Sequence, residues 1–194
     1  MNLPTKITVS RLVLIPVFIA LFLIPFPYHQ LIATAVFVVA SLTDWLDGHI
    51  ARKCNMVTTL GKFLDPVADK VLVASALILA TTLEVGIGDK IAIVVCSVVI
   101  IARELIITCF RTIAATKNVI LAADKIGKAK TAMQLTGLTF YLSFAEVGEL
   151  NATVGQVFFY IGFVCLMIAT VLTLVSALNY IIRNRAVLKE DSEQ

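Results

Sequence analysis

From position 12 to position 182 the chain is a series of apolar runs, each divided from the next by a short polar connector. That alternation leaves few folds open. About 20 apolar residues in helical form match the hydrocarbon thickness of a bilayer, and helices satisfy all their backbone polar groups internally, as lipid requires. The runs lie at about 12–27, 31–52, 61–85, 91–116, 125–147 and 153–182. Before them, at 1–11, Thr5, Lys6, Ser10 and Arg11 alternate with Ile7 and Val9, the pattern of a short helix lying in the interface. The expected fold is all-α: a polytopic membrane protein with six transmembrane helices and a short N-terminal interfacial helix, one domain over 1–194. Only 15% of the residues are charged, against 59% hydrophobic, which is too little charge for an ordinary soluble domain. The net charge of +3 gives no ground for a nucleic-acid partner.

The first run ends at Pro25 and Pro27 without a small-residue cleavage pattern, so it is expected to be retained as a helix. Cys54, Cys96, Cys109 and Cys165 form no C-x-x-C and no metal-type spacing with His29 or His49. They are expected to be small buried hydrophobes without a disulfide. Orientation follows from the basic residues. With six spans, every Lys and Arg except Lys90 lies on or toward the side of the two termini. The positive-inside rule makes that side cytoplasmic.

Against this apolar background, positions 44–69 carry four carboxylates. Asp44 and Asp47 are spaced i, i+3, and Asp65 and Asp69 are spaced i, i+4. Either spacing puts both acids on one face of a helix. Two helices showing acidic pairs to each other would gather four negative charges in a small volume. Bare carboxylates at that density protonate or bind cations, and hard oxygen donors suit Mg²⁺ or Mn²⁺, with room for two ions. Charged groups in membrane segments are costly and usually functional. The cluster falls at the end of its span, so it belongs at the cytoplasmic interface, away from the bilayer centre.

The stretch reads Asp-Trp-Leu-Asp-Gly-His-Ile-Ala-Arg over 44–52, eight residues, then Gly-Lys-Phe-Leu-Asp-Pro-Val-Ala-Asp over 61–69. This resembles the signature of the CDP-alcohol phosphotransferases, D-x-x-D-G-x-x-A-R, eight residues, G-x-x-x-D-x-x-x-D, at every fixed position. The resemblance implies that Asp44, Asp47 and Asp65 hold metal. It makes Asp69 the general base for an acceptor hydroxyl, with a share in the second metal. Gly48, Ala51 and Gly61 would let a CDP-lipid approach the backbone, and Arg52 would reach a phosphate or the CMP leaving group. His49 sits at a variable position and carries no assigned role, and His29 is expected at the interface.

Three further stretches resemble the branch of that family whose acceptor is glycerol 3-phosphate. They are Asn-Leu-Pro-Thr-Lys-Ile-Thr-Val-Ser-Arg at 2–11, Ala-Arg-Glu-Leu-Ile-Ile-Thr at 102–108, and Gly-Lys-Ala-Lys-Thr-Ala-Met-Gln at 127–134. Thr5 stands where the branch commonly has Asn. The resemblance covers the whole chain. It implies a membrane homodimer that transfers a phosphatidyl group from CDP-diacylglycerol to glycerol 3-phosphate. Inositol phosphate or serine as acceptor is the nearest competing reading. A divalent-cation transporter is more distant, because transport predicts acids spread through the bilayer depth.

A second constellation is basic. Arg103 and Arg111 lie within an apolar run and should face a wet cavity or the bundle interior. With Lys128 and Lys130 they are the expected contacts for the acceptor phosphate, whereas Lys117 and Lys125 read as anchors to lipid head groups. Glu104, next to Arg103, is expected to face elsewhere on its helix.

Overall fold

The computed structural model describes residues 3–54, 59–116 and 125–183, with side-chain surroundings for residues 10–43, 67–112, 114, 127–180 and 182. Among the described residues there are six α-helices and no strands: α1 Leu3–Leu23, α2 His29–Cys54, α3 Thr59–Ala80, α4 Ile87–Thr116, α5 Lys125–Leu150 and α6 Ala152–Arg183. α1 is continuous where the sequence suggests an interfacial segment followed by a span. Pro16 is accommodated inside it, at the loss of one backbone hydrogen bond. The turn from α1 to α2 contains Pro25 and Pro27 and ends on Tyr28, whose φ of 63° is unusual for a bulky residue.

α1 packs against α2 and α3, α2 also meets α5, and α4 leans on α6. The core is built from buried stripes at helical spacing. On α2 the stripe is Ala33, Phe37 and Ala40; on α3 it is Ala68, Leu72, Ala76 and Ala80. Phe18 of α1 inserts against Phe37, ring centroids 5.6 Å apart. In lipid no hydrophobic effect drives helices together, so close van der Waals contact must do so, and small residues allow it.

The α5–α6 pair shows this most clearly. Asn151 alone separates the two helices, and its Oδ1 accepts the N–H groups of Thr153 and Val154 at 3.1 and 3.3 Å, capping α6. Past this turn the backbones nearly touch. A Cβ placed on Gly155 would lie 2.3 Å from the Cα of Gly148, and one on Gly162 would lie 2.6 Å from the backbone nitrogen of Tyr141.

Among the described residues, two segments are long and apolar enough to cross a membrane, Ile87–Thr112 and Ala152–Tyr180. Only 28% of the apolar window in each is buried, unlike the core helix of a soluble protein. Their outward faces carry Val94, Val98 and Leu105 on α4, and Val164, Val171 and Leu178 on α6, all exposed. An apolar surface of that extent is what a bilayer would cover. Among the described cysteines Cys96 is buried, Cys165 half-buried and Cys109 exposed on α4, so the expectation of buried thiols fails at Cys109; the side chain of Cys54 lies outside the described ones.

Candidate active site

α2 and α3 follow one another across four residues and are in contact. Asp44 lies ten positions before the end of α2, and Asp69 ten positions after the start of α3. At 1.5 Å per residue each is about 15 Å from the connection. Asp47 and Asp65 are seven and six positions from the same ends. In a helical hairpin that register pairs Asp44 with Asp69 and Asp47 with Asp65 in depth. Gly48, Ala51 and Arg52 continue α2, and Gly61 opens α3. The side-chain surroundings of these residues, and of Asp44, Asp47 and Asp65, lie outside the described ones. Pro66 is the eighth residue of α3, past its first turn. It has no N–H for the carbonyl of Lys62, so the helix lacks one bond beside Asp65.

The donor set suits a hard divalent ion, since all four acids are carboxylates carried by two touching helices. Among the described residues no group of three or more His, Cys, Asp or Glu side chains gathers. Of the four acids, only Asp69 has described side-chain surroundings.

Asp69 is exposed at the mouth of a cleft between α3, α4 and α5, with about 530 Å³ of empty space including its opening. The floor is aliphatic, with Val73, Leu77, Ile100 and Leu135. The polar lining comes from all three helices: Asp69 and Lys70, Glu104, and Lys130 with Thr131 and Gln134. Lys130 is only 4% exposed, and its Nζ forms an ion pair with Oε1 of Glu104 across the α4–α5 boundary. A polar rim over an apolar floor suits a ligand with a charged head and an apolar body.

Of the four cations expected at one acceptor site, only Lys130 lines this cleft. Arg103 turns toward α6, donating from Nη2 to Ser176 Oγ at 2.8 Å. Its Nη1 also donates to Oε1 of Glu104 at 3.2 Å, so Glu104 does not face away from Arg103. Both side chains are long enough to fold back over one helical turn. Arg111 donates from Nε to Tyr180 Oη at 3.2 Å and lies over the Tyr180 ring, 5.5 Å from its centroid. Lys128 is exposed on α5. Lys117 falls outside the described residues.

Two acids carry more structure than the sequence reading assigns. Glu104 holds the Lys130 ion pair; the available signal was its place as the one acid well inside an apolar run. Glu146 is buried in α5, which continues to Leu150. Its two carboxylate oxygens accept the N–H groups of Gln30 and Leu31 at 3.0 and 2.8 Å, satisfying the first turn of α2. His29 packs near Phe22 and Phe26, within hydrogen-bond distance of the Phe22 carbonyl at 2.9 Å.

Residues 1–175 match the family model described as CDP-alcohol phosphatidyltransferase. A relative from Bacillus subtilis (strain 168), named CDP-diacylglycerol–glycerol-3-phosphate 3-phosphatidyltransferase, is 37% identical over 97% of this chain and 97% of its own. Proteins of the same name from Salmonella typhimurium and Wigglesworthia glossinidia brevipalpis are 38% and 36% identical, each covering 93% of both chains.

Proposed function

This chain belongs to the CDP-alcohol phosphatidyltransferase family, and we infer that it transfers the phosphatidyl group of CDP-diacylglycerol to glycerol 3-phosphate, releasing CMP. The observation that carries the acceptor assignment is full-length similarity to several enzymes of that one name.

The chemistry follows from the residues. A hydroxyl of glycerol 3-phosphate attacks the phosphorus bonded to the diacylglycerol oxygen. The new P–O bond forms as the pyrophosphate P–O bond breaks, and the electron pair leaves with CMP. The hydroxyl proton goes to Asp69, whose carboxylate at the cleft mouth is the proposed general base. Asp44, Asp47, Asp65 and Asp69 would hold Mg²⁺ or Mn²⁺, in a two-metal site. When bound, such ions neutralise pyrophosphate charge and polarise the phosphorus. Gly48, Ala51 and Gly61 leave room for the nucleotide near the backbone, and Arg52 answers the charge of the departing CMP. Lys130 offers an ammonium to the acceptor phosphate from within the cleft, and Arg111 and Lys128, which do not line it, are proposed as further contacts.

The exposed apolar faces of α4 and α6 support a place in the cell membrane. We extend that to six spans with both termini and the acidic motif cytoplasmic, and to a homodimer, as the family resemblance implies.

The test is a purified-enzyme assay with CDP-diacylglycerol and a panel of acceptors, identifying the lipid formed. Phosphatidylglycerophosphate and CMP from glycerol 3-phosphate support the reading. A preference for serine or inositol phosphate would overturn the acceptor assignment and leave the family untouched.

A further inference from the structure

Lys130 is almost wholly buried, yet its ammonium must be matched by acceptors. The floor of its cleft is aliphatic, and two carboxylates line the walls, Glu104 from α4 and Asp69 from α3. Lys130 pairs with Glu104 and lies within electrostatic reach of Asp69. Glu104 is itself held in place. The Oε1 that takes Lys130 also accepts Arg103 Nη1 at 3.2 Å, and Arg103 is anchored to Ser176 of α6 at 2.8 Å. A chain of contacts from α6 through α4 thus holds the ammonium on the α4–α5 side of the cleft.

The opposite arrangement would be damaging. An ammonium that settled on Asp69 would occupy its carboxylate and block the approach of an acceptor hydroxyl. Among the described residues of the cleft wall, Asp69 is the carboxylate that remains without the Glu104 charge. Removing its partner leaves a buried ammonium uncompensated, and Asp69 carries a charge within its electrostatic reach.

We propose that Glu104 is a positioning residue for the transfer reaction: it holds the Lys130 ammonium against α4, keeping it off Asp69 and directed at the acceptor phosphate. This rests on the reading of Asp69 as base and Lys130 as acceptor contact. It adds a residue that acts through both without touching the reacting atoms.

The test is a double-mutant cycle on the purified enzyme, with kcat and KM for each substrate. Glu104→Gln frees Lys130, and kcat should fall about 10²-fold, the scale of losing a general base, with KM for CDP-diacylglycerol unchanged. Lys130→Met alone should raise KM for glycerol 3-phosphate about tenfold and leave most of kcat. In Glu104→Gln/Lys130→Met the intruding ammonium is gone. There kcat should return to within about threefold of Lys130→Met, a strong non-additive coupling, while KM for glycerol 3-phosphate stays raised.

Wild-type kcat in Glu104→Gln, or a double mutant as slow as Glu104→Gln, would overturn the proposal. An unchanged KM in Lys130→Met would instead remove Lys130 from the acceptor site. Recovery of kcat in the double mutant would still support the role of Glu104 toward Asp69. If Glu104→Gln does not run as a single species on size exclusion, Glu104→Asp decides. It keeps the charge and should keep kcat within about tenfold of wild type; a folded Glu104→Asp enzyme with about 10²-fold lower kcat would overturn the proposal.

Discussion

Glu146 of α5 accepts the backbone N–H of Leu31, at the start of α2, at 2.8 Å. It takes the N–H of Gln30 with its other oxygen, and His29 Nε2 stands 3.6 Å from the carboxylate. A carboxylate is thereby placed on the positive end of α2, the helix that carries Asp44 and Asp47. Hydrogen bonds to a charged group contribute about 1.5–3 kcal/mol, and here the N–H groups have no helical partner of their own. We predict that Glu146→Ala lowers stability by about 2–3 kcal/mol, read as a reduced melting temperature in detergent. Glu146→Gln should fall between Ala and wild type, because an amide offers one acceptor oxygen in place of two. A melting temperature for Glu146→Ala equal to wild type would show that the cap contributes nothing.

The α5–α6 contact makes a second, steric prediction. Gly155→Ala would place a methyl 2.3 Å from Gly148 Cα, and Gly162→Ala would place one 2.6 Å from Tyr141 N. Neither neighbour is the end of a flexible side chain, so the helices must separate. Overpacking of this kind destabilises by about 1–3 kcal/mol. Gly88→Ala meets nothing within 4 Å and serves as the control. Equal melting temperatures for Gly88→Ala and Gly162→Ala would refute the close packing.

These contacts also mark where sequence reasoning reached its limit. Gly155 and Gly162 are readable as close-packing points because a glycine in an apolar helix has few other uses in lipid. The acidic motif is readable because its residue types and fixed spacing stand in the sequence itself and need no knowledge of packing neighbours. The partners of Arg103, Lys130 and Glu146 were not readable. Each depends on the rotation of one helix against another, which hydropathy does not report when both faces are apolar. Arg103 and Glu104 are adjacent, and helical spacing alone sends them to different faces; side-chain length brings them together at 3.2 Å. The number of spans is clear only for the two helices with unbroken apolar segments. In α2 and α3 the charged motif takes the place of apolar length.

The metal reading is tested by chelation and substitution. Asp44→Asn and Asp65→Asn each remove one hard charged donor. Both are predicted to raise the Mg²⁺ or Mn²⁺ concentration needed for half-maximal turnover and to reduce turnover severely. EDTA should silence the wild-type enzyme and added divalent ion restore it. Full turnover in chelator would exclude the two-metal site.

Orientation is tested with single cysteines in a chain otherwise free of them. The α3–α4 connection carries Glu84, and the start of α4 carries Asp89 and Lys90, the one basic residue expected on that side. A cysteine at Gly86 should react with a membrane-impermeant maleimide added to intact cells. A cysteine at Lys53 should react only after the membrane is opened. The reverse pattern would overturn the positive-inside assignment and move the acidic motif to the other face.

The last prediction concerns Arg111. Its Nε is used by Tyr180 Oη and its face by the Tyr180 ring, so the side chain is fixed on its α6 side. The Nη groups are the part of the guanidinium that would meet a phosphate, where charge-assisted and bidentate bonds are strongest. Arg111→Ala should therefore raise KM for glycerol 3-phosphate at least about tenfold, or 1.4 kcal/mol, with KM for CDP-diacylglycerol unchanged. Arg111→Lys should recover little, because an ammonium cannot reproduce the fork or the stacked plane. Tyr180→Phe separates anchoring from contact. It keeps the ring under the guanidinium and removes one neutral hydrogen-bond acceptor, worth about 0.5–1.5 kcal/mol. Its KM for glycerol 3-phosphate should rise about two- to tenfold, less than for Arg111→Ala. If Arg111→Ala binds the acceptor normally while losing thermal stability, Arg111 is a strut between α4 and α6, and the acceptor phosphate depends on Lys128 and Lys130.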